Sequence, residues 1–377
     1  MNCCRRIACR DFASGLVAFS RVKPLTHSRS RSHAAAAKPA TGSDTGEKPR
    51  LRAIDLARKV QQEKSKPQAE ELPLSGQQKR VMELKRFSLQ LQHVHPNVLA
   101  KHLHRGVLYQ DKDVVVINKP YGVPVRDDSG GTSIASVLPV LSKMMDGMKV
   151  KSETQLFPCL KLEKEITGVF MLARSEKIVE HILNLNRNNQ VERKYWVITV
   201  GVPVPSEGVI DIPIIEREVT GSRPHYKMAL SPLFRMNDAG DGMTKVRAHR
   251  QAQPAMTKYR VLDSSSGCSL VELQPFTGGK HQMRVHMALA LTCPVLGDHK
   301  YSDWNKLAPQ KLPERVLDKL GLEQRKIRYL PLHVLARQMT LLGTNRADIS
   351  VSCPIPKYFM QTLNRLHLTF PDEKDSK

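Results

Sequence analysis

Asp113-Val-Val-Val-Ile-Asn118 runs directly into Lys119-Pro-Tyr-Gly122, and this junction decides the fold. The first stretch is β-branched and apolar without a break, the composition of a strand covered on both faces. The second holds Pro and Gly at turn positions, so the strand ends in a loop. The same texture recurs downstream. Thr167-Gly-Val-Phe-Met-Leu-Ala173 reads as a buried strand, and Tyr195-Trp-Val-Ile-Thr-Val200 as another. Further strands are expected at 208–212, 256–262 and 269–273. Helices are expected over 132–145, over 175–186 with Ser175 as N-cap, over 280–290 and over 356–366. Many strands, few helices and no regular βαβ alternation predict an α+β domain on a mixed, mostly antiparallel sheet, spanning 105–370.

Upstream the texture differs. Residues 44–104 are polar, charged and poor in aromatics, with Pro67 and Pro73 between two short helical stretches, 51–62 and 77–91. They read as a polar linker or an N-terminal arm. Residues 1–43 carry eight basic residues against one acid, Asp11, and are rich in Ser and Ala. A cationic, acid-poor segment is drawn toward a negative matrix side, so 1–43 reads as a mitochondrial transit peptide and the location as the mitochondrial matrix.

The chain has 377 residues and a formal net charge of +23. Removing 1–43 would leave +16, so the preference for a polyanionic partner survives cleavage. No apolar run reaches the roughly 18 residues of a membrane-spanning helix. The basic charge alone fits nucleic acid or an anionic membrane surface; no amphipathic helix with aromatics opposite Lys supports the latter. Seven cysteines without a CxxC pair suit neither a disulfide scaffold nor a thiolate zinc site. His281 and His286 are five apart and do not share a helical face, so no metal site is expected.

Four clusters carry polar groups in places where chemistry can occur. They are Asn118-Lys-Pro-Tyr-Gly122, Leu160-Lys-Leu-Glu-Lys-Glu-Ile-Thr-Gly168, Arg193-Lys-Tyr-Trp196, and Thr277-Gly-Gly-Lys-His-Gln-Met-Arg-Val-His286. Singly, each is also an ordinary turn, a solvated charged loop, a strand start or a helix cap. Their order and spacing, extended by Ala255–Tyr259, Pro294–Tyr301, Leu332-His333 and Pro354-Ile-Pro356, resemble the RluA group of RNA pseudouridine synthases. The resemblance covers nearly all of 105–370, and the basic presequence suits a mitochondrial member.

The resemblance implies a mixed sheet with a central cleft and flanking helices, and it implies isomerisation of uridine to pseudouridine in RNA without cofactor or metal. It places a carboxylate acting at the ribose on Glu163, the aromatic that packs on uracil on Tyr195, and the arginine that pairs with the carboxylate on Arg284. Lys119, Lys161, Lys194, Lys280 and His281 are the expected RNA contacts. A base taken out of a helix needs an aromatic face to replace its lost stacking, and flanking phosphates need cations. Ribosomal, transfer and messenger RNA all remain open as substrates.

The chain departs from the group where the latter reads His-Arg-Leu-Asp: here the loop is Leu160-Lys-Leu-Glu163. Glu keeps the charge but adds a methylene, and Lys161 lacks the planar face of arginine. Two readings follow. One is a working synthase with a glutamate as its carboxylate; the other is an RNA-binding protein of the same fold that supports ribosome or RNA maturation without chemistry.

Overall fold

The computed structural model describes residues 74–371 apart from 92–93, 128–130, 147–154, 221–223, 232–233, 237–242, 246–248 and 343–347. The expected transit peptide and the first half of the expected linker therefore lie outside the described residues.

The helices are α1 (Gly76–Leu89), α2 (Pro96–Arg105), α3 (Ile134–Asp146), α4 (Glu176–Arg187), α5 (Gln282–Val285), α6 (Glu314–Leu320) and α7 (Lys357–Leu366). The strands are β1 (Val107–Gln110), β2 (Val114–Lys119), β3 (Phe157–Pro158), β4 (Thr167–Ala173), β5 (Val191–Val200), β6 (Glu207–Asp211), β7 (Ile214–Val219), β8 (His225–Leu230), β9 (Phe234–Met236), β10 (Met243–Lys245), β11 (Met256–Ser265), β12 (Cys268–Pro275), β13 (Val334–Leu341) and β14 (Ile349–Ser352). The main sheet runs β1-β2-β4-β13-β5-β12-β11-β6, with β3 on β4 and β14 on β13. Among these strands only β4 and β13 are parallel, through Thr167–Leu335 and Gly168–Ala336; the other pairs are antiparallel. The predicted α+β class with a mixed, mostly antiparallel sheet is what the chain adopts.

The unbroken apolar runs now have a reason. Alternate residues of β2 and β4 face opposite ways. Val114, Val116, Val169 and Met171 join a core that includes Val81 and Leu84 of α1, Ile182 of α4, Val316 of α6 and Phe359 of α7. Val115, Ile117, Phe170 and Leu172 join a second core with Leu99 and Leu103 of α2 and Ile134 and Val137 of α3. Both faces of these strands are thus covered. On β5, Trp196 and Ile198 belong to the first core, whereas Tyr195 and Val197 face a third, with Ile166, Leu273, Met287 and Ala336.

Residues 76–105 differ from the linker expectation. Ser75 caps α1 reciprocally with Gln78, and Arg80 of α1 donates to Gln361 of α7 at 2.7 Å. With few apolar residues, α1 and α2 look polar as sequence, but Val81 and Leu84 of α1 and Leu99, Ala100 and Leu103 of α2 are buried. α1 and α2 thus fall within the same compact unit as the sheet.

Candidate active site

The single parallel contact of the sheet locates the site. β4 touches β13 only at its first two residues, and the loop that precedes it, 160–166, leads directly into that contact. Gly168 holds that junction at φ +117°, and a Cβ there would stand 2.2 Å from the Ala336 carbonyl oxygen. A side chain is excluded both by the backbone angle and by the neighbouring strand.

Lys119, at the end of β2, organises the same loop from below. Its fully buried Nζ donates to the carbonyls of Lys164 (2.9 Å), Ile166 (2.8 Å) and Pro120 (3.2 Å). Thr167 Oγ1 donates to the Lys119 carbonyl at 2.7 Å. Burial pulls the Lys119 ammonium down to about 7, against the attraction of Glu165 and Glu163. This corrects the expectation that Lys119 touches RNA: its ammonium is buried and turned to the backbone carbonyls of Pro120, Lys164 and Ile166.

Glu163 sits in this loop, and Arg284 Nη1 donates to its Oε2 at 2.7 Å. Arg284 comes from α5, where the Thr277–Gly279 turn is stapled by Gln282. The Gln282 Oε1 accepts from Gly279 N and Thr277 Oγ1, and its Nε2 donates to Met256 O and Thr257 Oγ1. The expected helix over 280–290 is therefore short. It starts after His281, which adopts φ +55°, and passes at His286 into a π-turn, His286–Ala290.

Behind Arg284 stands Asp298, fully buried. Arg284 Nε donates to Asp298 Oδ2 and Nη2 to Oδ1, each at 2.8 Å. The backbone N–H groups of Lys300 and Tyr301 also donate to Oδ1, each at 3.0 Å. Burial opposes the charged form of both partners, but their mutual hydrogen bonds outweigh it, so Arg284 stays cationic and Asp298 anionic. Glu163 is held differently. Burial raises its pKa, Arg284 works to lower it, and the negative charges of Glu165 and Asp298 add to the rise. The site thus holds one permanently ionised carboxylate and one that titrates above the ordinary glutamate range.

Glu163 and Tyr195 line one cavity of about 400 Å³, together with Lys161, Lys280, His281 and Arg193. Tyr195 projects from β5 and is buried, which raises its phenol pKa. His281 Nδ1 lies 2.6 Å from the Tyr301 hydroxyl. Burial and the charge of Arg284 push this imidazole down to about 3, so its 3.9 Å approach to Glu163 is a contact of a neutral ring and not an ion pair. Lys161 is exposed on the rim. Lys280 is exposed too, and pairs with Glu216 of β7 at 2.8 Å.

The structure brings Glu163, Tyr195, Arg284, Lys161, Lys280 and His281 together. It does not bring in Lys194, which alternation along β5 turns to the face opposite Tyr195. Its neighbour Arg193, two residues before Tyr195 and on the same face, lines the cavity instead. The period of a strand was the available signal for preferring Arg193. Asp298 lay within a quoted motif, but its role became visible only when the chain brought it against Arg284.

Comparison with known proteins agrees with this geometry. Residues 113–289 match the family described as RNA pseudouridylate synthase. A zebrafish (Danio rerio) protein, Pseudouridylate synthase RPUSD4, mitochondrial, is 58% identical over 324 residues, covering 85% of this chain and 90% of its own. The human protein of the same name is 50% identical over 332 residues, covering 87% of each chain. The solved structure of Human RNA Pseudouridylate Synthase Domain Containing 4 superposes with a TM-score of 0.65 at 51% identity, over 74% of this chain and 98% of that one.

Proposed function

The chain belongs to the RNA pseudouridylate synthase family, and from that premise we propose that it converts uridine to pseudouridine with Glu163 as the reacting carboxylate. The reaction is an isomerisation. The bond from N1 of uracil to C1′ of ribose breaks, the base turns in place, and a bond forms from C5 to C1′. The proton leaves C5 and N1 gains one, so no atom is added overall.

The observation that carries the role of Glu163 is its ion pair with Arg284, in a cavity that also holds Tyr195. Arg284 and His281 both approach Oε2 of Glu163, so Oε1 is the oxygen offered to the ribose. Arg284 orients the carboxylate and favours its ionised form, while Asp298 keeps Arg284 from swinging away. Tyr195 supplies a flat face for the extruded base. Lys161 and Lys280, at the rim, suit the phosphates on either side.

The relatives are named mitochondrial, which supports a mitochondrial location; within it the basic segment 1–43 supports the matrix, with residues 105–370 as the catalytic region. The substrate is then a mitochondrial ribosomal, transfer or messenger RNA.

Purified protein incubated with mitochondrial RNA lacking pseudouridine, followed by chemical mapping, tests this reading. The wild type yields pseudouridine at discrete positions, Glu163→Ala yields none, and Tyr195→Phe retains part of the rate. Product from Glu163→Ala at the wild-type rate would remove Glu163 from the mechanism. RNA retention without product from the wild type would leave a binding protein of the same fold.

A further inference from the structure

Arg193 is the charged member of the cavity wall that the proposed chemistry does not use. Only 8% of the residue is exposed. A charge removed from water to this degree costs several kcal/mol unless an anion compensates it. Arg284, similarly buried, has two carboxylates. Arg193 has no ion pair among the described residues. Its Nη2 reaches the Pro275 carbonyl at 3.3 Å, and its Nε is buried without any hydrogen-bond partner. Tyr195 on the same face of the strand interacts with the guanidinium, but its phenol, raised by burial, is neutral and brings no charge.

What Arg193 lacks is an anion, and the cavity it lines is open to one. We propose that Arg193 binds a phosphodiester group flanking the target uridine, as the counter-ion that closes the site around the nucleotide. This rests on the reading that an RNA uridine enters the cavity. Uracil and ribose stay neutral until the bond breaks, so the phosphates are the only permanent anions a target nucleotide brings. A guanidinium can meet two phosphate oxygens through parallel N–H donors, and an unpartnered Nε is one of the groups such a fork uses. The neighbouring cations hold a different place: Lys161 and Lys280 are exposed and suit phosphates farther along the strand, whereas Arg193 is buried in the cavity wall. The position also indexes the substrate: a phosphate fixed two residues along β5 from Tyr195 sets how far the base can reach over the phenol ring.

The test is a thermodynamic cycle between protein and RNA. The probe is a synthetic RNA hairpin with a single uridine in its loop, made either with ordinary linkages or with uncharged methylphosphonates on both sides of that uridine. Binding is measured for the full-length wild type and for Arg193→Gln. The wild type should bind the methylphosphonate hairpin about tenfold to a hundredfold more weakly, the range expected for a charge-assisted hydrogen-bonded pair. Arg193→Gln should lose a similar factor on the ordinary hairpin and nothing more on the modified one. Arg193→Lys should recover part of the affinity and keep the wild-type melting temperature, which separates lost binding from lost folding. Losses that multiply, or a wild type that binds both hairpins equally, would overturn the proposal. Conversion of the uridine is measured on the same samples: absence of product with the cycle intact would count against the isomerisation and not against the phosphate site.

Discussion

Asp298 touches Glu163 only through Arg284, yet it shapes the carboxylate in two ways. It fixes the guanidinium by two hydrogen bonds of 2.8 Å, and its negative charge helps to raise the Glu163 pKa. Asp298→Asn is a sharp probe because Oδ1 can still accept from the backbone of Lys300 and Tyr301, while the amide opposes Arg284 Nε. The rate should fall about tenfold to a hundredfold through misplacement of Arg284. The pH dependence should move as well. If Glu163 reacts ionised, the acid limb of the wild-type rate profile lies above the ordinary glutamate pKa. Arg284 holds the Glu163 pKa down more strongly than the Asp298 charge raises it, so a displaced Arg284 raises that pKa and the limb shifts to higher pH. A limb that stays in place would show that the titrating group is not Glu163. Lys119→Met makes the complementary test beneath the loop. It leaves the buried Pro120 and Ile166 carbonyls without this donor, while the Lys164 carbonyl keeps the Gly122 N–H, and should cost about 2 kcal/mol or more in urea unfolding.

At the scale of elements, the loop 160–166 is positioned by the junction of β4 with β13. Gly168→Ala should therefore damage stability and conversion together. The strained φ and the clash with Ala336 O amount to about 3 kcal/mol or more, read as a lower urea midpoint, and the shift is passed along five residues to Glu163. What the sequence discloses at this scale follows from local pattern. The strands at 114–119 and 167–173 and the Ser175-capped helix were legible because composition and caps are local. The strand β13 and the hairpin β7–β8 were not. In β13, Arg337, Gln338 and Thr340 interrupt the apolar run. In the hairpin, Glu216, Arg217 and Glu218 face outward around Ile214 and Ile215. The site divides the same way. Glu163, Tyr195 and Arg284 were identified from a spaced resemblance. The burial of Lys119 and the clamp by Asp298 depend on partners brought from 14 to 47 positions away, whereas the exchange of Lys194 for Arg193 was open to the period of a strand.

The whole molecule joins its N-terminal helices to the site by a short chain of aromatic contacts. Phe87 of α1 lies 5.1 Å from Tyr121 and 4.5 Å from Tyr358 of α7, ring centre to ring centre. Tyr121 belongs to the turn after Lys119, and its hydroxyl accepts from Leu332 N at 3.2 Å, just before β13. The helices also bury Val81, Leu84, Leu99, Ala100 and Leu103. At about 1.5–3 kcal/mol for each large side chain, their removal would consume a stability of the usual 5–15 kcal/mol. Two shortened chains decide whether α1 and α2 are an arm or part of the domain. A protein starting at Leu74 keeps both helices and should unfold cooperatively. A protein starting at Gly106 exposes the Ile117 and Phe359 sides of two cores at once, and should be recovered unfolded or aggregated. A folded, soluble product from the second chain would restore the linker reading, and would make the Phe87–Tyr121 contact an accessory to the site and not its support.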